Sequence, residues 1–415
     1  MDILEAKQAV IAAGLKLLET GLIARTWGNV SARVDDESFV ITPSGKAYEG
    51  LTPDDVVLVK IKDLSYAGDV KPSSEKGIHA QAYALRPEVG FVIHTHQKNA
   101  SIVSVTGGDL PLNGNTGWWA DVLGETVPLA AYGLPGTGKL RKGVTAALKK
   151  HPGAKAVLMA HHGALCVGQT AEEAFKAADA LEQASQNYLA RRLLERTGDL
   201  AETIDGIHAL IAKRRAENAP APADPAPTLV GYTSFRSGDA FSMKPEAIAG
   251  EYVDVSLSDG KILNEKDDPQ EPETLELHRA IYRKNSKVNA IVHSAAPDIQ
   301  RTSHSGAKKL LPYLDDFAQI AGVNLRVARF NPNDQLESAK LVNKALKGRS
   351  AVLLEGNGAL CIGSNLEEAR AVETVAEKNC GVSLSADLFA KAKPIGLLDA
   401  AIMRLVYVQK YAKKK

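Results

Sequence analysis

The segment GALCVGQTAEEA, residues 163–174, returns as GALCIGSNLEEA at 358–369, identical at eight of twelve positions and offset by 195. Upstream, IHAQAYALRPEVGFVIHTH (78–96) lies against LHRAIYRKNSKVNAIVHSA (277–295), offset by 199 without a gap. His79 then meets His278, Tyr83 meets Tyr282 and His94 meets His293. Matched stretches in the same order and at similar spacing mark an internal duplication, so the chain has to fold as two copies of one unit. At 415 residues each copy is long enough to bury its own core. Between the copies runs ENAPAPADPAPT (217–228), where four prolines alternate with small residues and favour an extended, semi-rigid connector. The expected organisation is one domain over 1–215, an Ala/Pro linker at 216–228 and a second domain over 229–415.

The repeated unit is readable in outline. Short apolar runs such as SFVIT, DVVLVKI, VGFVIHTH, TVPLAAY and AKAVLMAHHG predict strands. Helical patterns, SEKGIHAQAYALR and KLRKGVTAALKKH, lie between them, and a long helix follows Thr170, which with Glu173 forms a capping-box signature. The N-terminus predicts an amphipathic helix with Ile3, Val10, Leu17 and Leu18 on one side. The class is α/β, a central sheet covered by helices, present twice.

Charge excludes several partners. Fifty basic residues against 49 acidic ones give a net charge of +1, which offers no field for nucleic acid or an anionic membrane. Three cysteines cannot build a disulfide framework and point to a reducing compartment. The start of the chain is acidic, unlike a secretory signal, and no apolar run is long enough to span a bilayer. A soluble cytoplasmic protein is expected.

Three features of the first copy can carry chemistry. His94 and His96 sit two apart on a predicted strand, so both imidazoles face the same side and can reach one ion. His161 and His162 end another apolar run, and one of them can complete a three-histidine site with a position left open, as a catalytic metal requires. Taken singly, each is an ordinary core or turn histidine. Two clusters at strand ends, holding four of only ten histidines, favour a metal. The third feature is KPSSEKGIH (71–79), where Ser73 or Ser74 caps a helix and Glu75 complements its dipole. The same geometry makes an anion site with a carboxylate beside it.

GNVS, ITPSG, PSSE, HTH and HHG, in this order, resemble the class II aldolase/adducin superfamily over essentially all of residues 1–200. The resemblance implies a three-layer domain with a mainly antiparallel central sheet. It implies zinc, with manganese or cobalt as alternatives, held by His94, His96 and His162, the last preferred to His161 because it directly precedes the glycine. Glu75 becomes the acid/base. Gly28, Asn29, Ser44, Gly45, Ser73 and Ser74 become the substrate-phosphate contacts. The expected activity is that of a metal-dependent aldehyde-lyase, which cleaves a carbon–carbon bond of a ketose phosphate through an enediolate. Epimerase, dehydratase and decarboxylase chemistry on the same site, and a non-catalytic scaffold, are the alternatives. One departure stands out. The tyrosine that these aldolases use on the product-aldehyde hydroxyl falls near Gly117, in NGNTGWWADVLGE (113–125), and Asp121 is the substitute candidate.

The second copy has lost the chemistry. Glu75 becomes Thr274, His96 becomes Ala295 and His162 becomes Asn357, leaving His293 alone among the ligand positions. It also starts near YTSFRSG, after the point where a GNVS counterpart is expected. The resemblance implies a homo-oligomer in which two chains form a pseudo-tetramer, the inert copies supplying neighbouring walls. GLPGTGKL (133–140) has the spacing of a nucleotide-binding loop, but Leu140 stands where a Ser or Thr must hold magnesium, so it reads as a tight turn before a helix at Lys139. The lysine-rich end, QKYAKKK, reads as a solvated tail.

Overall fold

The computed structural model describes residues 1–23, 27–112, 117–217, 231–246, 252–264, 274–331 and 333–410. Most of the Ala/Pro linker and the end of the lysine-rich tail lie outside the described residues. The chain separates into two compact units, 1–207 with 388–393, and 208–387 with 394–415. All three cysteines are free and buried.

In the first unit the order is α1 (Ile3–Glu19), β1 (Asn29–Arg33), β2 (Ser38–Ile41), β3 (Val57–Lys60), α2 (Lys76–Leu85), β4 (Phe91–Thr95) and α3 (Lys98–Val103). There follow β5 (Leu110–Pro111), α4 (Trp118–Leu123), β6 (Thr126–Val127), β7 (Leu129–Ala130), α5 (Gly138–Lys150), β8 (Ala156–Met159), β9 (Gly163–Gly168) and α6 (Ala171–Thr197); α7 (Ile204–Glu217) starts in the first unit and has most of its residues, from His208 on, in the second. Seven strands form one sheet in the order β3-β2-β1-β4-β9-β8-β7, antiparallel except for the β7–β8 pair, and β5 and β6 form a separate ribbon. TVPLAAY therefore makes two short strands broken at Pro128, where the ring removes a ladder donor.

Alternation along the strands divides their side chains between two helical layers. Val92, Val157, Met159, Leu165 and Val167 pack with Ile78 and Tyr83 of α2 and Leu140, Val144 and Leu148 of α5. Against the other face lie α1, α3 and α6. The buried stripe of α1 is Ala6, Val10, Ala13, Gly14 and Leu17. Ile3, expected on that stripe, is exposed, and Leu18 is half-buried. The reason is the ring of Tyr48, which lies where a Cβ on Gly14 would stand, and so turns the small-residue side of the helix inward. Thr170 starts α6 as expected, accepting from the Glu173 N–H, while the Glu173 carboxylate accepts from Gln169 N–H.

The second unit repeats the plan. Its elements are β10 (Tyr232–Ser237), β11 (Ala240–Pro245), β12 (Val253–Ser256), α8 (Leu275–Lys284), β13 (Ala290–Ser294), α9 (Pro297–Ser303), β14 (Lys309–Leu310) and α10 (Asp315–Ile320). They continue with β15 (Leu325–Ala328), α11 (Gln335–Leu346), β16 (Ala351–Leu354), β17 (Ala359–Gly363), α12 (Leu366–Ser385) and α13 (Leu397–Lys410). The sheet runs β12-β11-β10-β13-β17-β16-β15-β14, again with one parallel pair, β15–β16. Even single contacts recur. Glu182 of α6 accepts from the N–H groups of Asn99 and Ala100 at 2.7 and 3.1 Å, and Glu377 of α12 does the same for Asp298 and Ile299 at 3.0 and 2.7 Å.

The repeat reaches further upstream than the ungapped comparison allows. Ser31 bonds His79 and Tyr83, and Ser234 bonds His278 and Tyr282 in the same way. This aligns GNVSAR (28–33) with GYTSFR (231–236) at an offset of 203, so the GNVS counterpart is present. A Cβ on Gly28 would meet the His94 carbonyl at 2.7 Å, and one on Gly231 the His293 carbonyl at 2.3 Å. A four-residue length difference between β1 and α2 hid the match.

Candidate metal centre and its carboxylate

Antiparallel pairing brings the site together at one end of the first unit's sheet. Asn29 at the start of β1 lies opposite His94 near the end of β4, and His94 lies opposite Leu165 of β9. His96 follows one residue beyond β4, its backbone N–H bonded to the Leu22 carbonyl. His162 ends the tight turn from β8 to β9. That turn is possible because His161 adopts a left-handed φ of +64° and Gly163 follows it. A Cβ on Gly163 would stand 2.2 Å from the Thr95 carbonyl oxygen and 3.2 Å from Cε1 of His94. Only glycine lets β9 approach β4 this closely, which is why the histidine before it reaches the site. His161 itself turns away, its ring meeting Tyr132 edge-on at 5.3 Å.

The ring nitrogens of His94, His96 and His162 available as ligands all lie within 4.8 Å of one another, and Nε2 of His94 and Nε2 of His96 are 2.9 Å apart. A tetrahedral ion with nitrogen ligands sets them about 3.4 Å apart, so the donor set fits a borderline cation. His94 is wholly buried, and its Nδ1 donates to the Ala164 carbonyl at 2.9 Å, which fixes the ring and frees the Nε2 lone pair. Burial holds the His94 imidazole well below its usual range, with Glu75 opposing, so the ring is neutral and able to ligate.

Glu75 closes the cluster. Its Oε1 lies 2.9 Å from His162 Nε2 and its Oε2 lies 3.3 Å from His94 Nε2 and 3.0 Å from Asn29 Nδ2. Burial acts to raise this carboxyl, but His94, His162 and the hydrogen bonds from His162 and Asn29 outweigh it and hold it well below the usual range. The carboxylate takes the helix N-cap position itself, without a side-chain cap bond. The expected cap from Ser73 or Ser74 is not formed. Ser73 Oγ instead accepts from the Glu75 N–H at 3.2 Å, and Ser74 is exposed.

The other sequence candidates fall around the same end. Ser44 N–H bonds the Lys71 carbonyl and Ser73 N–H bonds the Thr42 carbonyl, which ties the loop of Ser44 and Gly45 to the one of Ser73 and Ser74. Gly28 and Gly45 both have positive φ. Asn29 is different, because both ends of its side chain are engaged, Nδ2 by Glu75 and Oδ1 by His79 at 2.5 Å. His79, on α2, matches His278 in the repeat, but that match gave no signal of a place beside Glu75. Asp121 is exposed on α4, and among the described residues no hydrogen bond or ion pair joins it to the cluster. Residues 113–116, which precede it, lie outside the described residues. GLPGTGKL makes the turn before α5, with Thr137 capping the Leu140 N–H.

The profile of the class II aldolase and adducin N-terminal domain matches this chain twice, at residues 8–189 and 234–384. The chain belongs to the class II aldolase and adducin family. It is similar to a 5-methylthioribulose-1-phosphate/5-deoxyribulose-1-phosphate aldolase of Rhodospirillum rubrum, 34% identical over 44% of this chain and 79% of the relative. A methylthioribulose-1-phosphate dehydratase of Pectobacterium carotovorum is also 34% identical, over 45% of this chain and 95% of the relative. Among solved structures, an L-fuculose 1-phosphate aldolase is 30% identical, covering 48% of this chain and 89% of that one, with a TM-score of 0.42. Family membership places the chain among the metal-dependent lyases.

The second copy keeps the turn with other residues at the matching positions. Gly356 and Gly358, both at φ +72°, flank Asn357 as His161 and Gly163 flank His162. His293 turns its Nε2 to the Asn357 carbonyl at 2.8 Å, and Thr274 is buried where Glu75 would lie.

Proposed function

We propose that the first unit is a metal-dependent lyase that cleaves a carbon–carbon bond of a ketose phosphate, and that the second is a degenerate, non-catalytic copy. The observation that carries this reading is the convergence of three imidazoles with one buried carboxylate at 2.9 and 3.3 Å. His94, His96 and His162 hold the cation, zinc in the first instance. A divalent cation held there would supply Lewis acidity to the negative charge that cleavage develops. Gly28, Ser44, Gly45, Ser73 and Ser74 hold the substrate phosphate and keep the reacting carbons in register, with Asn29 adding only the Nδ2 hydrogen that Glu75 does not take. Glu75, ionised at rest, takes a proton from the carbon nucleophile in the condensation direction; in cleavage the carboxyl so formed returns a proton to the carbon that the departing aldehyde leaves, balanced by the hydroxyl proton that Asp121 removes. Asp121 is assigned to the aldehyde-forming hydroxyl, the proton the family's tyrosine handles.

Relatives that act on 5-methylthioribulose 1-phosphate and 5-deoxyribulose 1-phosphate suggest a ketopentose 1-phosphate modified at C5. A dehydratase reading is the second choice, favoured by the relative of that activity and by the glycine at the tyrosine's place. Zinc-loaded protein incubated with a panel of ketose 1-phosphates separates the two by NMR. Dihydroxyacetone phosphate marks cleavage, and a six-carbon or five-carbon product one water lighter marks dehydration. If the panel is untouched at full zinc loading, the lyase assignment is wrong.

The domain limits 1–215 and 229–415, the cytoplasmic setting and the two-chain pseudo-tetramer belong to the same proposal. Among the described residues no helix is long and apolar enough to cross a membrane.

A further inference from the structure

Behind Glu75 runs a chain of buried polar side chains, of which the chemistry above uses only Asn29. Tyr83 Oη lies 2.7 Å from Ser31 Oγ, Ser31 Oγ lies 2.7 Å from His79 Nδ1, His79 Nε2 lies 2.5 Å from Asn29 Oδ1, and Asn29 Nδ2 lies 3.0 Å from Glu75 Oε2. Ser31 and His79 are wholly buried, and Tyr83, Asn29 and Glu75 nearly so.

The hydrogen positions follow from the ends inward. Asn29 turns its Nδ2 to Glu75 Oε2 and donates to it. Asn29 Oδ1 therefore faces His79 and needs a donor, which must be Nε2–H. Burial pushes His79 down to about 3, so the ring is neutral and carries one proton. Its Nδ1 is then an acceptor, filled by the Ser31 hydroxyl, whose oxygen accepts from Tyr83. Every bond points the same way, toward Glu75.

The second unit supplies a control. Ser234 bonds His278 Nδ1 at 2.7 Å and Tyr282 Oη at 2.8 Å, reproducing the first half of the chain. Tyr232 replaces Asn29 and Thr274 replaces Glu75. His278 Nε2 is buried and, among the described residues, has no hydrogen-bond partner. The Tyr–Ser–His part is present in both units and belongs to the fold. The His–Asn–carboxylate part exists only where the metal cluster does.

We propose that His79 is a positioning residue for Glu75: its Nε2–H fixes the orientation of the Asn29 amide, which in turn fixes the carboxylate against the three-histidine cluster. This rests on Glu75 being the acid/base. A reversed Asn29 amide would set oxygen against carboxylate and push Glu75 out of place, with the metal ligands intact.

Two readouts test it on the full chain. In the first, long-range proton–nitrogen NMR of histidine-labelled protein assigns the His79 ring by its loss in His79→Phe. An Nε2–H tautomer at neutral pH is expected, and an Nδ1–H tautomer overturns the proposal whether or not any lyase activity is found. In the second, His79→Phe and His278→Phe are compared after zinc loading. Both are expected to lose similar stability and keep wild-type zinc content, while only His79→Phe loses kcat for cleavage, roughly tenfold to a hundredfold, with KM little changed. His79→Gln, whose amide N–H can reach Asn29, is expected to recover most of that loss. Equal kcat in wild type and His79→Phe overturns the proposal. Should His79→Phe not fold, His79→Gln and the tautomer decide. If the wild type cleaves no ketose phosphate, the lyase assignment fails and the tautomer alone settles the role of His79.

Discussion

Glu75 carries a buried negative charge, with Asn29 as its hydrogen-bond donor and the His162 ring 2.9 Å away. Removing that charge and keeping the shape isolates its role. Glu75→Gln is expected to bind zinc as the wild type does and to lose cleavage by about 10²–10⁴, read by steady-state kinetics beside metal analysis. A second residue-scale consequence concerns acid. Burial pushes His278 down to about 3, with His293 adding in the same direction, whereas in the unfolded chain it titrates near 6.5. Between those values the unfolded state binds the extra proton, so stability is full above about pH 6.5 and falls on acidification by roughly 1.4 kcal/mol per pH unit for one such histidine. Urea midpoints at pH 7.5 and 5.5 should differ less in His278→Phe than in wild type. An unchanged difference would show that the buried ring does not drive the loss.

At the scale of elements, the β8–β9 turn decides which histidine joins the cluster. The family motif alone preferred His162 to His161, and the geometry gives the reason: a left-handed residue followed by a glycine pressed against β4 turns one ring outward and the next inward. Gly163→Ala is expected to force β9 away from the Thr95 carbonyl, to cost about 1–3 kcal/mol and to weaken zinc binding. Gly358→Ala meets the Ser294 carbonyl in the same manner at 2.1 Å. It should destabilise its own unit and leave zinc affinity untouched. Isothermal titration on the two variants separates the effects. The strand runs and long helices were legible because they are periodic. The cap of α2 was not, since a serine–serine–glutamate run allows three caps, and only the pull of the histidine cluster on Glu75 selects one.

At the scale of the whole molecule, the asymmetry between copies predicts a stoichiometry. One tightly held zinc per chain is expected by elemental analysis, and two would contradict a degenerate second unit. Saturating zinc should raise the unfolding temperature of the first unit, since a ligand at a thousand times its Kd adds about 4 kcal/mol, and leave the second unit's transition where it is. Sedimentation should find a dimer if the pseudo-tetramer holds.

The linear order of residues was sufficient for the duplication, the layered α/β unit, the different residues at the matching positions of the second copy and the grouping of strand-end histidines, because each is a matter of repeat, period or residue type. It could not show that GYTSFR answers GNVSAR, because an insertion broke the register and only shared contacts to His278 and Tyr282 restore it. Nor could it show that Asn29 faces Glu75, or that His79 stands behind both. Those relations join residues 46 and 50 positions apart, and they exist only because antiparallel pairing of β1 with β4 and the packing of α2 on that sheet bring the side chains into one dry space where every donor must find an acceptor.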